Sequence, residues 1–127
     1  MRIKRFIATL FLIVSCLALL SSAAYANHAE IIEVKIKSIG NNQYRIDTTI
    51  KHADTGWKHY ANAWLVFDEE GNKLGERILH HPHVNEQPFT RSLRLTIAKR
   101  VKTIIIKAQD SVHGLNEKGM QIKVPHN

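Results

Sequence analysis

Histidine is the residue whose number and placement could do chemistry in this chain. The sequence has 127 residues, of which eight are histidine and one is cysteine. Neutral imidazole is the commonest metal ligand among side chains, and three or four converging imidazoles suit Zn²⁺, Cu²⁺ or Ni²⁺. His81 and His83 flank Pro82, so both rings point to one face if this segment is extended. The sequence therefore suggests a metal site built from histidines.

The first 26 residues have the pattern of a secretory signal peptide. A basic start precedes an apolar run over residues 6–20, and Ala24-Tyr25-Ala26 forms a small-x-small cleavage site. We predict cleavage after Ala26, a periplasmic or secreted location without stable membrane insertion, and a single domain over residues 27–127. Because the leader holds three of the 18 basic residues and none of the 11 acidic ones, the net charge falls from +7 to +4. Such a mild, interleaved charge argues against nucleic acid as a partner.

The only cysteine lies inside this leader. Ile13-Val14-Ser15-Cys16 loosely matches the box before a lipid-modified cysteine, but apolar residues continue to Leu20 and a good cleavage site follows. We favour removal of Cys16 with the leader, and its lipidation stays open as the alternative. On the favoured interpretation the mature chain has no thiol. That excludes a disulfide framework and a cysteine-based zinc module.

Short segments with an apolar period of two make up the rest of the sequence. Residues 32–36 and 44–50 alternate around Gly40-Asn41-Asn42, a hairpin signal, while residues 60–67 are apolar on both faces around Trp64. No segment keeps a helical stripe for three turns. The pattern predicts a seven-stranded antiparallel immunoglobulin-like sandwich after an N-terminal signal helix. The seven strands cover residues 32–36, 44–50, 60–67, 74–80, 93–97, 104–108 and 120–124.

Two sets of motifs resemble known proteins. The segment from Ile104 to Ser111, with Gly114 and Ile122-x-Val124, resembles the last hairpin of bacterial immunoglobulin-like and fibronectin-type-III-like modules. That resemblance implies a sandwich but no activity. Three further sequence motifs resemble those of a group of small exported bacterial proteins of no assigned function. They are HADTGWKHYA from His52, HPHVNEQPFTRS from His81 and DSVHG from Asp110. This second resemblance implies no particular biochemistry.

The order of the predicted strands places most histidines at one end of the sandwich. Antiparallel strands with short connections alternate in direction, so every second loop lies at the same end. Histidines fall in the connections at 51–59, 80–88 and 110–118 and near the start of the first strand. The opposite turns, at 40–42, 68–73 and 98–100, contain none. We therefore expect seven of the eight histidines to share one end, His126 being the exception.

Three neighbouring loops supply the candidate metal ligands. In order of preference they are His81, His83, His59 and His113, followed by His52 and His80. Asp54, Glu86 and Asp110 are candidate acceptors that would orient the rings. Without a thiol, and with Met120 as the one mature thioether, the donor set favours Cu²⁺ or Zn²⁺ over Cu⁺. His28 and His126 lie near the termini and are expected to be incidental.

A metal-free interpretation stays open beside this one. Histidines in long loops also form hydrogen bonds with the backbone and need no ion. The exported domain would then be an interaction module that docks a partner protein through Trp57, Tyr60 and Phe89.

The sequence contains no recognisable catalytic motif. There is no Gly-x-Ser-x-Gly elbow, phosphate-binding loop or His-Glu-x-x-His pair, so the sequence predicts that the protein is not an enzyme. Arg91 is expected to pair with Glu86 or Asp110 rather than to bind an anion.

Overall fold

The computed structural model describes residues 28–126, which contain eight β-strands and no helix. The strands are β1 (Glu30–Gly40), β2 (Gln43–Lys51), β3 (Ala61–Asp68), β4 (Lys73–Ile78), β5 (Phe89–Thr96), β6 (Thr103–Asp110), β7 (Gly114–Leu115) and β8 (Met120–Lys123). The predicted signal peptide, with Cys16, lies outside the described residues. Nothing within the described range forms a helix that could cross a bilayer.

The strands form two antiparallel sheets. One sheet has the order β1-β2-β5, and the other has β4-β3-β6 with both β7 and β8 paired to the far side of β6. The prediction of an all-β antiparallel domain is confirmed. The predicted count of seven strands is wrong, because Gly114 and Leu115 pair with Asp110 and Gln109 as an eighth. Two residues are too few to produce an alternating pattern in the sequence.

The two sheets share one apolar core. The strand β2 buries Tyr44 and Ile46, the strand β6 buries Ile104 and Ile106, and Trp64 of β3 is 0% exposed among them. Every second residue of β2 and β6 is buried, as expected for strands with one face on a core and one toward solvent. Trp64, at the centre of the segment that the sequence shows as apolar on both faces, thus lies in the core.

The end without histidine loops is closed by tight turns and by the carboxyl terminus. Gly40, Asn41 and Asn42 have positive φ angles of 90°, 54° and 59°, a conformation that glycine and asparagine adopt at low cost. His126 lies nearby, where its Nε2 donates to the carbonyl of Val101 at 2.6 Å and its Nδ1 accepts from the Tyr44 hydroxyl at 2.9 Å. His126 is therefore not incidental, since it ties the last residues to the core.

Candidate metal centre

Three connections and the start of β1 meet at the end opposite the Gly40–Asn42 turn. They are residues 52–60 between β2 and β3, residues 79–88 between β4 and β5, and residues 111–113 between β6 and β7. Four rings at this end, here called the histidine row, lie in sequence: His28 contacts His113 at 4.7 Å, His113 contacts His59 at 5.0 Å, and His59 contacts His52 at 4.7 Å between ring centroids. Residues distant in the chain thus bring their imidazoles together.

Part of the histidine row combines with a carboxylate into a group that could hold an ion. His52, His59 and Asp110 each offer one ligand atom, and these atoms lie within 4.8 Å of one another. His52 and Asp110 are buried, whereas the His59 side chain is 21% exposed. The group therefore has a buried inner side and one side that solvent reaches.

Asp110, the last residue of β6, is the electrostatic centre of this group. Its Oδ1 accepts hydrogen bonds from the amides of Val112 and His113, at 2.9 and 2.8 Å. The same oxygen lies 3.1 Å from His59 Nε2 and from His113 Nδ1. Its Oδ2 is buried and has no hydrogen-bond partner among the described residues.

The protonation of Asp110 follows from these contacts. Burial alone raises the pKa of its carboxyl, but the backbone hydrogen bonds from His113 and Val112 outweigh burial and hold the pKa below the ordinary value. Asp110 is therefore an anion at neutral pH, and no donor in the described part of the chain satisfies its buried Oδ2.

A second buried carboxylate, Asp54, joins two of the loops. Its Oδ1 lies 2.6 Å from His52 Nδ1 and accepts from the amide of Ala61 at 2.9 Å. Its Oδ2 accepts from the amide of His83 at 2.8 Å. Asp54 and Asp110 thus both contact histidine rings, as the sequence suggested, while Glu86 is exposed.

The structure places the two histidines preferred from sequence in a separate group. His83 is buried, its ring stacks on Phe89 at 3.9 Å, and its Nε2 accepts from Arg91 at 2.9 Å. His81 is exposed with its ring 4.6 Å from that of His83, and His80 is also exposed. Arg91 therefore pairs with His83 rather than with an acid. Among the described residues the ligand group contains neither His81 nor His83.

The surroundings of His83 predict how stability depends on pH. Burial lowers the pKa of His83 below its ordinary value of 6.5, and the electrostatic effects of the neighbouring Arg91 and His81 lower it further. The unfolded chain then binds the proton more readily than the folded one, so acidification below about pH 6.5 decreases the free energy of unfolding. Above that pH, His83 makes its full contribution to the free energy of unfolding.

Urea unfolding of the metal-free protein at about pH 7.5 and about pH 5.5 measures this effect. Replacing His83 with glutamine removes the titrating ring, and Arg91→Gln removes one of the charges that lower its pKa, so both variants should show a smaller loss on acidification. An equal loss in wild type and His83→Gln would contradict the assignment.

Two residues at this end have roles or contacts that the sequence did not predict. Asp110 was anticipated as an orienting acceptor, whereas its Oδ2, which has no hydrogen-bond partner among the described residues, makes it a candidate ligand. His28 was expected to be incidental, yet its ring packs on His113. The sequence signal for Asp110 was the spacing Asp110-x-x-His113, since three residues in a tight connection can bring a carboxylate and an imidazole together.

Comparison with known proteins adds context without a named family. No protein-family model matches the chain. A protein of Halomicrobium mukohataei named "Putative lipoprotein" is 30% identical over 94 residues, which cover 74% of this chain and 46% of that protein. The chain thus spans about half the length of the curated relative it matches. The relative's name states no activity, which fits the resemblance to exported proteins of unassigned function.

One solved structure corrects an expectation from sequence. The superoxide reductase (1Fe-SOR) from Giardia intestinalis matches over 72% of this chain and 95% of its own, with 21% identity and a TM-score of 0.43. The prediction that this protein is not an enzyme is contradicted, because the matched structure is that of an enzyme. A likeness at this level establishes no activity for the present chain.

Proposed function

We propose that this protein binds one divalent transition-metal ion through His52, His59 and Asp110. The observation that supports the proposal is the buried Oδ2 of Asp110. This oxygen has no hydrogen-bond partner within residues 28–126, and Asp110 belongs to a group whose ligand atoms lie within 4.8 Å of one another. A buried ionised oxygen without a partner is costly, and a bound cation would satisfy it. Because these atoms are already close, small movements of the His52 and His59 rings would let both coordinate the same ion.

The donor set limits the kind of ion. Two imidazoles and one carboxylate suit Zn²⁺ and Cu²⁺, and the same three donors with open positions also suit Fe²⁺. His113 is the candidate fourth ligand, since its ring contacts that of His59 and its Nδ1 already lies 3.1 Å from Asp110. The exposed edge of His59 gives the ion a path from solvent.

The setting of this function is part of the same proposal. The predicted leader, and the word lipoprotein in the name of the relative, support an exported protein. Storage, delivery or sensing of the metal outside the cytoplasm would fit such a location. The immunoglobulin-like sandwich also stays within the proposal, and two antiparallel sheets around one core support it.

Calorimetric titration of the purified, chelator-treated protein with Zn²⁺, Cu²⁺ and Fe²⁺ tests the proposal. We expect one ion per chain for at least one metal, with a dissociation constant tighter than about 10 µM. Fe²⁺ is titrated without oxygen so that its oxidation does not contribute heat. If all three ions bind more weakly than that, or bind without a defined stoichiometry, the proposal is wrong.

A metal-free docking module is the second candidate. Trp57 is 68% exposed and its ring contacts that of Tyr60 at 5.7 Å, which favours a surface for a partner protein. Phe89 is 3% exposed beneath His83 and does not reach such a surface. Absence of metal binding in the titration would leave Trp57 and Tyr60 as the residues to test.

A further inference from the structure

We propose that Asp54 is the positioning residue of this metal site, an inference that rests on the proposed function. Asp54 does not belong to the ligand group, but its Oδ1 lies 2.6 Å from Nδ1 of the ligand His52. The side chains of both residues are almost completely buried, with 0% of Asp54 and 1% of His52 exposed. The contact is thus shielded from water. A hydrogen bond between an imidazole and a carboxylate is stronger in such a buried environment than in water.

The contact determines which ring nitrogen carries the proton. Both oxygens of Asp54 already accept from backbone amides, those of Ala61 and His83, so in this contact Nδ1 of His52 donates and Oδ1 of Asp54 accepts. Nε2 then has the lone pair that a metal requires. A carboxylate behind a metal-binding imidazole also makes the ring a more basic ligand and fixes its orientation.

Asp54 is itself held in place from two sides. The amide of Ala61, at the start of β3, donates to Oδ1, and the amide of His83, in the loop between β4 and β5, donates to Oδ2. Ala61 is 0% exposed and pairs with Asp110 across the β3–β6 ladder. The residue that orients one ligand is therefore anchored to the strand pair that carries another.

These contacts give Asp54 two separable roles. The bonds from Ala61 and His83 hold loops together, and their loss should lower the free energy of unfolding whether or not a metal binds. The bond with His52 selects the proton position on a ligand, and its loss should change the imidazole tautomer and the metal affinity. Only the second role makes Asp54 a positioning residue.

The experiment compares Asp54→Asn with Asp68→Asn. Asp68 is a matched control, because each of the two residues, counted with its backbone, is 5% exposed. Like Asp54, Asp68 accepts from two amides, in its case those of Glu70 and Asn72 on Oδ1. The contacts of Asp68 lie in the β3–β4 turn at the opposite end of the sheet. The asparagine side chain keeps the shape of aspartate but removes its charge and turns one acceptor into a donor.

Three quantities are measured for each protein. Nitrogen-15 NMR of the imidazoles in the metal-free state gives the tautomer of His52, competition with a chromophoric chelator gives the Zn²⁺ affinity, and urea gives the free energy of unfolding. In wild type we expect the proton of His52 on Nδ1. In Asp54→Asn we expect the Nε2–H form to become populated and the Zn²⁺ affinity to fall by about 10- to 100-fold. In Asp68→Asn we expect an unchanged tautomer and an affinity within about twofold of wild type.

The outcomes separate this inference from the proposed function. If Asp54→Asn folds with the wild-type tautomer and affinity, Asp54 does not position the ligand. If wild type binds no Zn²⁺, the proposed zinc site fails, while a tautomer change in metal-free Asp54→Asn still supports the orienting role. Should Asp54→Asn not fold, the wild-type spectrum decides, because an Nε2–H proton on His52 would overturn the inference.

Discussion

Replacing His59 with alanine is expected to weaken Zn²⁺ binding by about 100-fold or more, equivalent to roughly 2.7 kcal/mol. The variant removes a ligand of the proposed group while leaving Asp110 and His52 in place. His59 is the best choice among the ligands, because its partly exposed side chain can be shortened without opening the core. Truncation of buried His52 would also leave Asp54 without its ring partner.

The matched control is His81→Ala. His81 is also a loop histidine at this end of the sheets, and it was the first choice from sequence, but it is exposed and lies outside the ligand group. We expect its removal to change the Zn²⁺ affinity by less than about twofold, as is usual for independent sites. Competition titrations of both variants at equal pH and ionic strength make the comparison. A larger loss of Zn²⁺ affinity in His81→Ala than in His59→Ala would contradict the proposed site and indicate that the metal binds at the loop between β4 and β5.

The fold class was predictable because the strands that build the core have a clear period. In β2, buried Tyr44 and Ile46 alternate with exposed Gln43 and Arg45, and that alternation is visible in the letters alone. The strand β7 could not be found in this way. Its two residues form a strand only because the chain reverses after Asp110 and remains beside β6.

The choice of ligands was harder to predict than the end of the molecule at which they lie. Alternation of strand direction brings the loops to one end, and the row from His28 to His52 follows from it. Spacing in sequence favoured His81 and His83 as ligands. In the structure, however, His83 stacks on Phe89 and accepts a hydrogen bond from Arg91, outside the ligand group. Only the three-dimensional arrangement distinguishes an imidazole facing a carboxylate from one packed on an aromatic ring.

The role of Asp110 depends on contacts that no local pattern contains. Its pairing with Ala61 across β3 and β6 brings it toward His59, which is 51 residues away in the chain. The amides that follow it satisfy Oδ1, while Oδ2 has no hydrogen-bond partner in the part of the chain that the structure describes. From sequence, the same aspartate is a candidate acceptor for a histidine ring, and nothing in the sequence distinguishes that role from the role of a ligand.

Truncation of Trp64 to alanine is expected to lower the free energy of unfolding by about 3–5 kcal/mol. Trp64 is 0% exposed at the centre of β3, where it pairs with Arg77 of β4 and Ala108 of β6. The surrounding strands are hydrogen-bonded on both sides and cannot collapse fully into the space left by the indole. Such a loss is a large share of the stability of a domain of this size, roughly 5–15 kcal/mol.

Two further variants separate the loss of core packing from the loss of a tryptophan. Trp57→Ala removes a 68% exposed side chain and should change the free energy of unfolding by less than about 0.5 kcal/mol. Trp64→Phe retains most of the apolar volume. It also removes a buried indole nitrogen that has no hydrogen-bond partner among residues 28–126, so its cost should be well below that of alanine. Urea unfolding of the chelator-treated proteins, followed by far-ultraviolet circular dichroism, measures all three. Equal losses in Trp57→Ala and Trp64→Ala would mean that the two sheets are not held together through Trp64.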